Sequence, residues 1–166
     1  MGYVPQDIFL TDSSVAENIA LGVPPCEVDM DRVRRAATIA QIDQFIRTEL
    51  PDGYQTTVGE RGVRLSGGQR QRIGIARALY CDAEVIVFDE ATSALDNLTE
   101  ADVMAAIDAL PGDKTVLMIA HRLSTVKRCD RILVLEKGRI VGCDCWAALM
   151  NDNAAFQRIA RLSEAA

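Results

Sequence analysis

Two adjacent carboxylates close an apolar run near the middle of this chain. The run at residues 84–89 is rich in β-branched and aromatic side chains, and Asp89 and Glu90 stand at its end. Neighbouring side chains on a strand diverge, so one carboxylate can face Mg²⁺ while the other orients and partly deprotonates an attacking water. This division is typical of phosphoryl-transfer enzymes. We therefore predict Asp89 as a metal ligand and Glu90 as a catalytic base. The pair alone would equally suit a solvated strand end.

A second element that can do chemistry is the sequence Leu-Ser-Gly-Gly-Gln at residues 65–69, which precedes a helical pattern. Glycines let backbone N–H groups approach a phosphate closely, Ser66 adds a hydroxyl, and the helix directs its positive end to the same place. The pattern predicts a phosphate-binding cap. The alternative is a plain helix cap at Ser66 followed by a flexible glycine turn.

Taken in order and spacing, these motifs resemble the second half of the nucleotide-binding domain of an ABC transporter. Residues 65–72 are similar to the signature motif of that family, and residues 84–90 are similar to its Walker B strand. Gln6 resembles the glutamine of the Q-loop, Asp96 the aspartate of the D-loop, and His121 the switch histidine. By themselves an isolated glutamine and a lone histidine would indicate no function.

The resemblance implies a role for each of these residues. Glu90, His121 and Gln6 would be catalytic, with His121 bonded to the γ-phosphate of ATP. Asp89 and Gln6 would bind Mg²⁺. In this family two nucleotide-binding domains form a head-to-tail dimer, and the signature of one closes over the ATP of the other. The implied cofactors are thus ATP and Mg²⁺, and the residues that bind ATP in trans are Ser66, Gly67, Gly68 and Gln69.

The predicted fold class is α/β, an incomplete P-loop NTPase (RecA-like) parallel sheet with an inserted ABC α-helical subdomain. Unalternating apolar runs predict strands buried on two faces, and helical periodicity supplies the crossovers. Strands are expected at 2–4, 84–89 and 115–119, with a hairpin of 131–135 and 139–141. Helices are expected at 15–20, 31–50, from 67 to about 80, 98–107 and 146–162. The domain boundaries assign 1–24 and 64–166 to the ATPase core and 25–63 to the helical subdomain.

The exporter branch of the family is indicated by two further segments. Residues 57–62 look like the X-loop, which in exporters contacts the coupling helices of the transmembrane domain, and residues 17–19 are also similar to exporters. The resemblance implies a transmembrane partner reached through the Q-loop and the X-loop. The alternatives are a soluble ABC-type ATPase acting on DNA or ribosomes, and a non-catalytic truncated interaction fragment.

The phosphate-cradling loop Gly-x-x-x-x-Gly-Lys-Ser/Thr does not occur in the sequence. Residues 112–115 place an aspartate between glycine and lysine and lead into a strand, whereas such a loop must open a helix. The resemblance then implies that the strand at 115–119 has an unpaired apolar edge. We expect the chain alone neither to bind nor to hydrolyse ATP, and the full-length parent to be an ATP-driven exporter.

Composition limits the remaining function classes. A net charge of −6 supplies no broad positive field, which argues against nucleic acid as a partner. Apolar runs such as 116–120 are too short to span a membrane. The chain is therefore expected to be soluble, at the cytoplasmic face of the membrane that holds its parent. Five cysteines without a secretory signal favour reduced thiols, with a metal at Cys143 and Cys145 as the alternative.

Overall fold

The computed structural model describes residues 1–59, 65–91, 97–120 and 122–164. It divides the chain into two compact units, Met1–Ile119 and Ala120–Ala166. The predictions for Asp96, for His121 and for residues 60–62 lie outside the described residues. The predicted assignment of 25–63 to a separate subdomain stays a prediction.

A parallel sheet organises the first unit. Its strands are β1 (Gly2–Val4), β2 (Val85–Asp89) and β3 (Thr115–Ile119), in the order β1-β2-β3. Val4 pairs with Phe88, and Asp89 pairs with Ile119. Because the strands are parallel, their carboxyl ends meet at one edge of the sheet, and that edge carries the two predicted carboxylates, Asp89 and Glu90.

Strand β3 differs from the prediction that it is buried on both faces. Leu117 is 48% and Ile119 53% exposed, whereas Ile86 and Phe88 of the central strand β2 are buried. Among the described strands β3 pairs only with β2, which confirms the expected unpaired apolar edge. The uninterrupted apolar pattern of β3 requires a covering layer, and the described residues do not supply it. Such an edge favours association with other chains.

Two helices of the first unit that precede the glycine-rich segment begin at clear capping residues. Helix α1 (Val15–Ile19) starts with a capping box in which Ser14 and Glu17 bond each other's backbone N–H. Helix α2 (Met30–Ile39) starts at Asp29, whose carboxylate accepts two backbone N–H bonds. Helices α3 (Asp43–Glu49), α4 (Gly67–Tyr80) and α5 (Asn97–Asp108) complete this unit.

The prediction of one continuous helix at 31–50 was wrong. The chain breaks between α2 and α3 at Gln41, whose φ is 56°, in the left-handed region. The break lets Ile42 lie fully buried, and the guanidinium of Arg72 donates to the Gln41 carbonyl at 2.9 Å. A tertiary contact and a buried side chain outweigh the local periodicity here.

The core of the first unit lies between the sheet, α4 and the helices that follow β1. Its fully buried larger side chains come from every layer of the unit and include Val4, Leu10, Val15, Ile19, Val33, Ile42, Ile46, Val58, Ile73, Ile75, Ile86, Phe88 and Val103. Helix α4 packs against α1, α2, α5 and β1. Helix α4 is therefore the element that holds the sheet and its carboxyl edge in place.

The described residues of the second unit form a hairpin and three helices. Helix α6 (Leu123–Val126) precedes the antiparallel strands β4 (Ile132–Glu136) and β5 (Arg139–Asp144), and helices α7 (Trp146–Asp152) and α8 (Ala154–Glu164) follow. The hairpin turn falls at Lys137 and Gly138, as predicted, and both have positive φ.

The predicted single helix at 146–162 is divided at Asn153. The side-chain oxygen of Asn153 accepts from the Phe156 N–H at 2.9 Å, and the side-chain NH₂ group of Asn153 donates to the Val141 carbonyl at 2.8 Å. Trp146 and Phe156 then meet edge to face at 5.1 Å within the small core of this unit. A capping side chain bonded to the hairpin therefore ends one helix and starts the next.

Replacing Asn18 by alanine is expected to lower the free energy of unfolding of the chain by about 2–3 kcal/mol. Asn18 is fully buried, its side-chain oxygen accepts from the Thr11 N–H at 2.9 Å, and its amide donates to the carbonyls of Thr11 and Ser14. Alanine removes the acceptor of the Thr11 N–H and takes one of the hydrogen bonds from each of the two carbonyls, which keep their backbone donors. Denaturant unfolding measures the change, and the exposed Asn151→Ala is the matched control. A loss no larger than that of the control would contradict the assignment.

Alkaline pH is expected to destabilise the chain through Tyr54. Burial and the hydrogen bond that its hydroxyl donates to Asp43 at 2.6 Å raise the pKa of Tyr54 well above its usual value. The native state thus holds the phenol proton more tightly, so the stabilisation is complete below the unfolded pKa of about 10 and is lost as pH rises towards the native pKa. Between pH 10 and 11 the wild type should lose about 1 kcal/mol more stability than Tyr54→Phe. Equal losses in denaturant titrations of both proteins would refute this.

Candidate functional site

The structure brings Gln6, Asp89 and Glu90 to the carboxyl edge of the three-stranded sheet. Gln6 follows the end of β1 by two residues, Asp89 ends β2, and Glu90 comes directly after it. The Glu90 N–H donates to the Ile119 carbonyl at 3.0 Å, which holds the start of the loop against β3. This part of the site was predicted from the sequence.

Glu90 has an unusual backbone conformation for its type of side chain. Its φ is 51°, in the left-handed region that glycine prefers, and it is half-buried. Such a conformation costs free energy and persists only where the surrounding structure imposes it. Residues of this kind cluster at active sites. Strand β2 ends at Asp89, so Glu90 lies outside the regular alternation of the strand.

Tyr3 is a site residue that the sequence reasoning missed. Its hydroxyl donates to Asp89 Oδ2 at 2.7 Å, and this bond raises the pKa of Tyr3. Tyr3 lies opposite Val87, two residues before Asp89 and therefore on the same face of the sheet. The position of Tyr3 along β1 determines which face of the sheet its side chain takes. It indicates a contact with Asp89 only when the pairing register of β1 and β2 is known. The contact fixes one oxygen of the predicted metal ligand.

The oxygen atoms at this edge suit Mg²⁺. Mg²⁺ prefers oxygen ligands and is usually held by one or two carboxylates together with substrate phosphates and water. Asp89 has a second carboxylate oxygen beyond the one bonded to Tyr3, and the side chain of Gln6 adds an amide oxygen. Within the described residues no group of three or more His, Cys, Asp or Glu side chains gathers into a metal site. Phosphate oxygens would have to complete the shell.

The glycine-rich segment forms the capped beginning of α4. The Ser66 hydroxyl accepts from the Gln69 N–H at 3.2 Å, and the Gln69 side chain accepts from the Ser66 N–H at 2.8 Å. The plain capping role is therefore present. The Ser66 hydroxyl acts as an acceptor in this cap, so its hydrogen can still donate. The first-turn N–H groups of Gly67 and Gly68 have no acceptor within the helix, so they too can donate to an anion. Ser66 is exposed and Gly68 is buried.

The signature residues and the carboxylates occupy different places in the first unit. Gln71, near the start of α4, contacts the backbone of Gln6, whereas the end of α4 lies against Gly2 at the start of β1. Ser66 precedes Gln71 by about 7.5 Å along the helix axis, at 1.5 Å per residue. The signature therefore extends past the loop that carries Gln6.

A parallel sheet with two carboxylates at its carboxyl edge, flanked by a helix with a glycine-rich entrance, places the first unit among domains of the α/β class. A sequence model described as ABC transporter matches residues 1–93. The chain belongs to the ABC transporter family.

Named relatives and a solved structure agree with this membership. The chain is 45% identical over 163 residues to the ATP-dependent lipid A-core flippase of Cupriavidus metallidurans, covering 98% of this chain and 27% of that protein. It is 46% identical over 159 residues to the flippase of the same name from Burkholderia pseudomallei, covering 96% and 26%. A bacterial Atm1-family ABC exporter with ATP bound aligns with a TM-score of 0.84 and 41% identity, over 99% of this chain and 28% of the other.

These comparisons confirm the predicted family and fold class, and they favour the exporter over the soluble ATPase. The chain spans about a quarter of the length of the curated relatives that it matches. Within the described residues no helix has the length and apolar character needed to cross a membrane.

Proposed function

We propose that this chain is part of the ATP-hydrolysing domain that powers an ABC exporter. The observation that carries the proposal is the meeting of Asp89, Glu90 and Gln6 at one edge of a parallel sheet. It occurs in a chain that is 45% identical to ATP-dependent flippases.

In this proposal Asp89 and Gln6 hold Mg²⁺, and Glu90 orients and deprotonates the water that attacks the γ-phosphate of ATP. Bound Mg²⁺ would neutralise charge on the phosphates. Tyr3 keeps Asp89 oriented through its 2.7 Å hydrogen bond. His121 contributes a hydrogen bond to the γ-phosphate, and Asp96 acts from the D-loop.

The signature residues serve a second nucleotide-binding domain in a head-to-tail dimer. Ser66, Gly67, Gly68 and Gln69 close over the ATP of the partner domain. Support comes from the first-turn N–H groups at the start of α4, which have no acceptor within the helix and suit an anion. An anion in that place would gain both the open N–H groups and the positive end of the helix.

The transmembrane partner is contacted through the Q-loop and the X-loop at residues 57–62. Support comes from the bonds that tie the start of the X-loop to the start of α1, the helix that follows the Q-loop: the Val15 N–H donates to the Thr56 carbonyl at 3.1 Å, and the Val58 N–H donates to the Ser13 carbonyl at 3.2 Å. Ser14 and Thr57 form an isolated antiparallel bridge at the same place. A movement imposed on one segment would therefore displace the other.

The test uses the purified full-length parent reconstituted in lipid vesicles. We expect it to release phosphate from ATP only when Mg²⁺ is present. Lipid A-core, which the relatives are named for, is one of the cargo molecules tested for stimulation of this ATP hydrolysis. Absence of Mg²⁺-dependent ATP hydrolysis by the folded parent would refute the proposed function.

A further inference from the structure

One face of α4 is devoted to the segment that carries Gln6. Gln71, Gly74 and Arg77 follow one another at intervals of three residues, so they share a face of the helix. All three contact residues of the chain between β1 and the end of α1. The contacts are made chiefly to backbone atoms, which fixes the path of the chain whatever the side chains there.

Gln71 makes the contact nearest to the site. Its side-chain amide donates to the Gln6 carbonyl at 2.5 Å and to the Pro5 carbonyl at 3.3 Å. Gln71 is 4% exposed, and its side-chain oxygen is buried without a hydrogen-bond partner among the described residues. Two carbonyl oxygens can only accept, so the NH₂ group of Gln71 must face them and its oxygen must face the other way.

The unpaired oxygen indicates what Gln71 is for. A buried acceptor without a partner is unfavourable, and an apolar side chain of similar volume would avoid it in this packed environment. The neighbours Ile73, Ile75 and Ala76 on α4 are buried apolar residues. The exception at Gln71 is therefore explained by its two donated hydrogen bonds rather than by packing.

Gly74 and Arg77 hold the continuation of the same segment. A Cβ atom on Gly74 would lie 2.5 Å from Ile8 Cδ1, so the absence of a side chain lets Ile8 lie directly on the helix. The Arg77 guanidinium donates to the Phe9 carbonyl at 3.1 Å and to the Asn18 carbonyl at 3.0 Å. The loop is thus attached to α4 at several points, and Gln71 secures its end at Gln6.

We infer that Gln71 is a positioning residue for Gln6, which it holds at the carboxyl edge of the sheet through the backbone carbonyl. It also links the loop that carries Gln6 to helix α4, which begins with the signature residues proposed to close over the ATP of the partner domain. The inference rests on the proposed function, because it assumes that Gln6 acts at the ATP site. It assigns to Gln71 a part in the chemical step, through Gln6, and no direct contact with ATP.

The experiment replaces Gln71 by methionine in the full-length parent, which removes both donors and keeps a side chain of similar length. We expect kcat for ATP hydrolysis to fall about tenfold to a hundredfold, the loss typical of a misplaced catalytic group, with KM for MgATP changed less than about threefold. Gln44 lies exposed on α3, and Gln44→Met is the matched control with unchanged kcat. Gln71→Asn, one methylene shorter, should also lose kcat and covers the case in which Gln71→Met does not fold.

A double-mutant cycle distinguishes positioning from general destabilisation. If Gln71 acts through Gln6, kcat of Gln6→Ala should be the same, within about twofold, as that of Gln6→Ala combined with Gln71→Met. Losses that multiply, or an unchanged kcat in folded Gln71→Met and Gln71→Asn proteins, would overturn the inference. A wild-type parent that hydrolyses no ATP would refute the proposed function instead, so the two failures are separable.

Discussion

Replacing Glu90 by glutamine in the full-length parent is expected to lower kcat for ATP hydrolysis by about 10²–10⁴-fold, the usual contribution of a general base. Glutamine has nearly the same shape but cannot take a proton from water. Glu90 stands at the carboxyl edge of the sheet, and its backbone N–H is bonded to Ile119, so the side chain is presented from a fixed position. The loss should fall on kcat, while KM for MgATP changes little.

Phosphate release by Glu90→Gln and wild-type protein measures this effect. Glu27 lies exposed in a short 3-10 turn, and Glu27→Gln makes the same chemical change away from the sheet edge. The control should keep full activity. If Glu90→Gln retained more than about a tenth of the wild-type kcat, Glu90 would not be the general base.

The 166-residue chain by itself is expected to show no measurable heat of MgATP binding, with a dissociation constant weaker than about 1 mM, or about −4 kcal/mol. The sequence lacks the phosphate-cradling loop, and the described sheet edge presents the carboxylates Asp89 and Glu90 to a polyphosphate of like charge. Holding Mg²⁺ and a water is not sufficient without groups that hold the phosphates.

The lysines of the chain support this expectation. Lys114 precedes β3, at the opposite end of that strand from the carboxyl edge, and pairs with Asp82 at 3.0 Å. Lys127 lies over the Trp146 ring at 4.9 Å, and Lys137 forms the hairpin turn. The sequence contains no other lysine. Each of them already has a structural role, so none is available to replace the lysine of a phosphate-cradling loop.

Calorimetric titration of the folded chain decides the matter, with circular dichroism to establish that it is folded. The full-length parent titrated under the same conditions is the positive control and should bind MgATP. A micromolar dissociation constant for the isolated chain would show that the missing loop is not needed for binding, and would contradict the expectation.

Much of the site could be predicted because its motifs are local in sequence. Asp89 and Glu90 are adjacent at the end of an apolar strand, and Ser66 and Gln69 bond each other across one turn of α4. Contacts of this range depend on strand alternation and helix geometry, which the order of residue types already specifies. The position of Gln6 at the carboxyl edge of the sheet followed from the prediction that the strands are parallel.

Helix ends were less predictable, because they depend on distant partners. The break at Gln41 is accompanied by the bond from Arg72 on α4, and the break at Asn153 by the bond to Val141 on β5. In both places the apolar periodicity continues through the interruption. A tertiary hydrogen bond and the burial of one side chain supply enough free energy to change a backbone conformation whose intrinsic preference is small.

The sequence by itself determined the family and the fold class, and it supplied the prediction that the carboxylates and glycines act on ATP, because these depend on residue types at short spacing. Only the tertiary structure decided that Tyr3 holds Asp89 and that Gln71 holds the Gln6 carbonyl. The reason is physical. Both contacts join residues more than sixty positions apart, and they arise from strand register and helix packing, which fix which side chains meet.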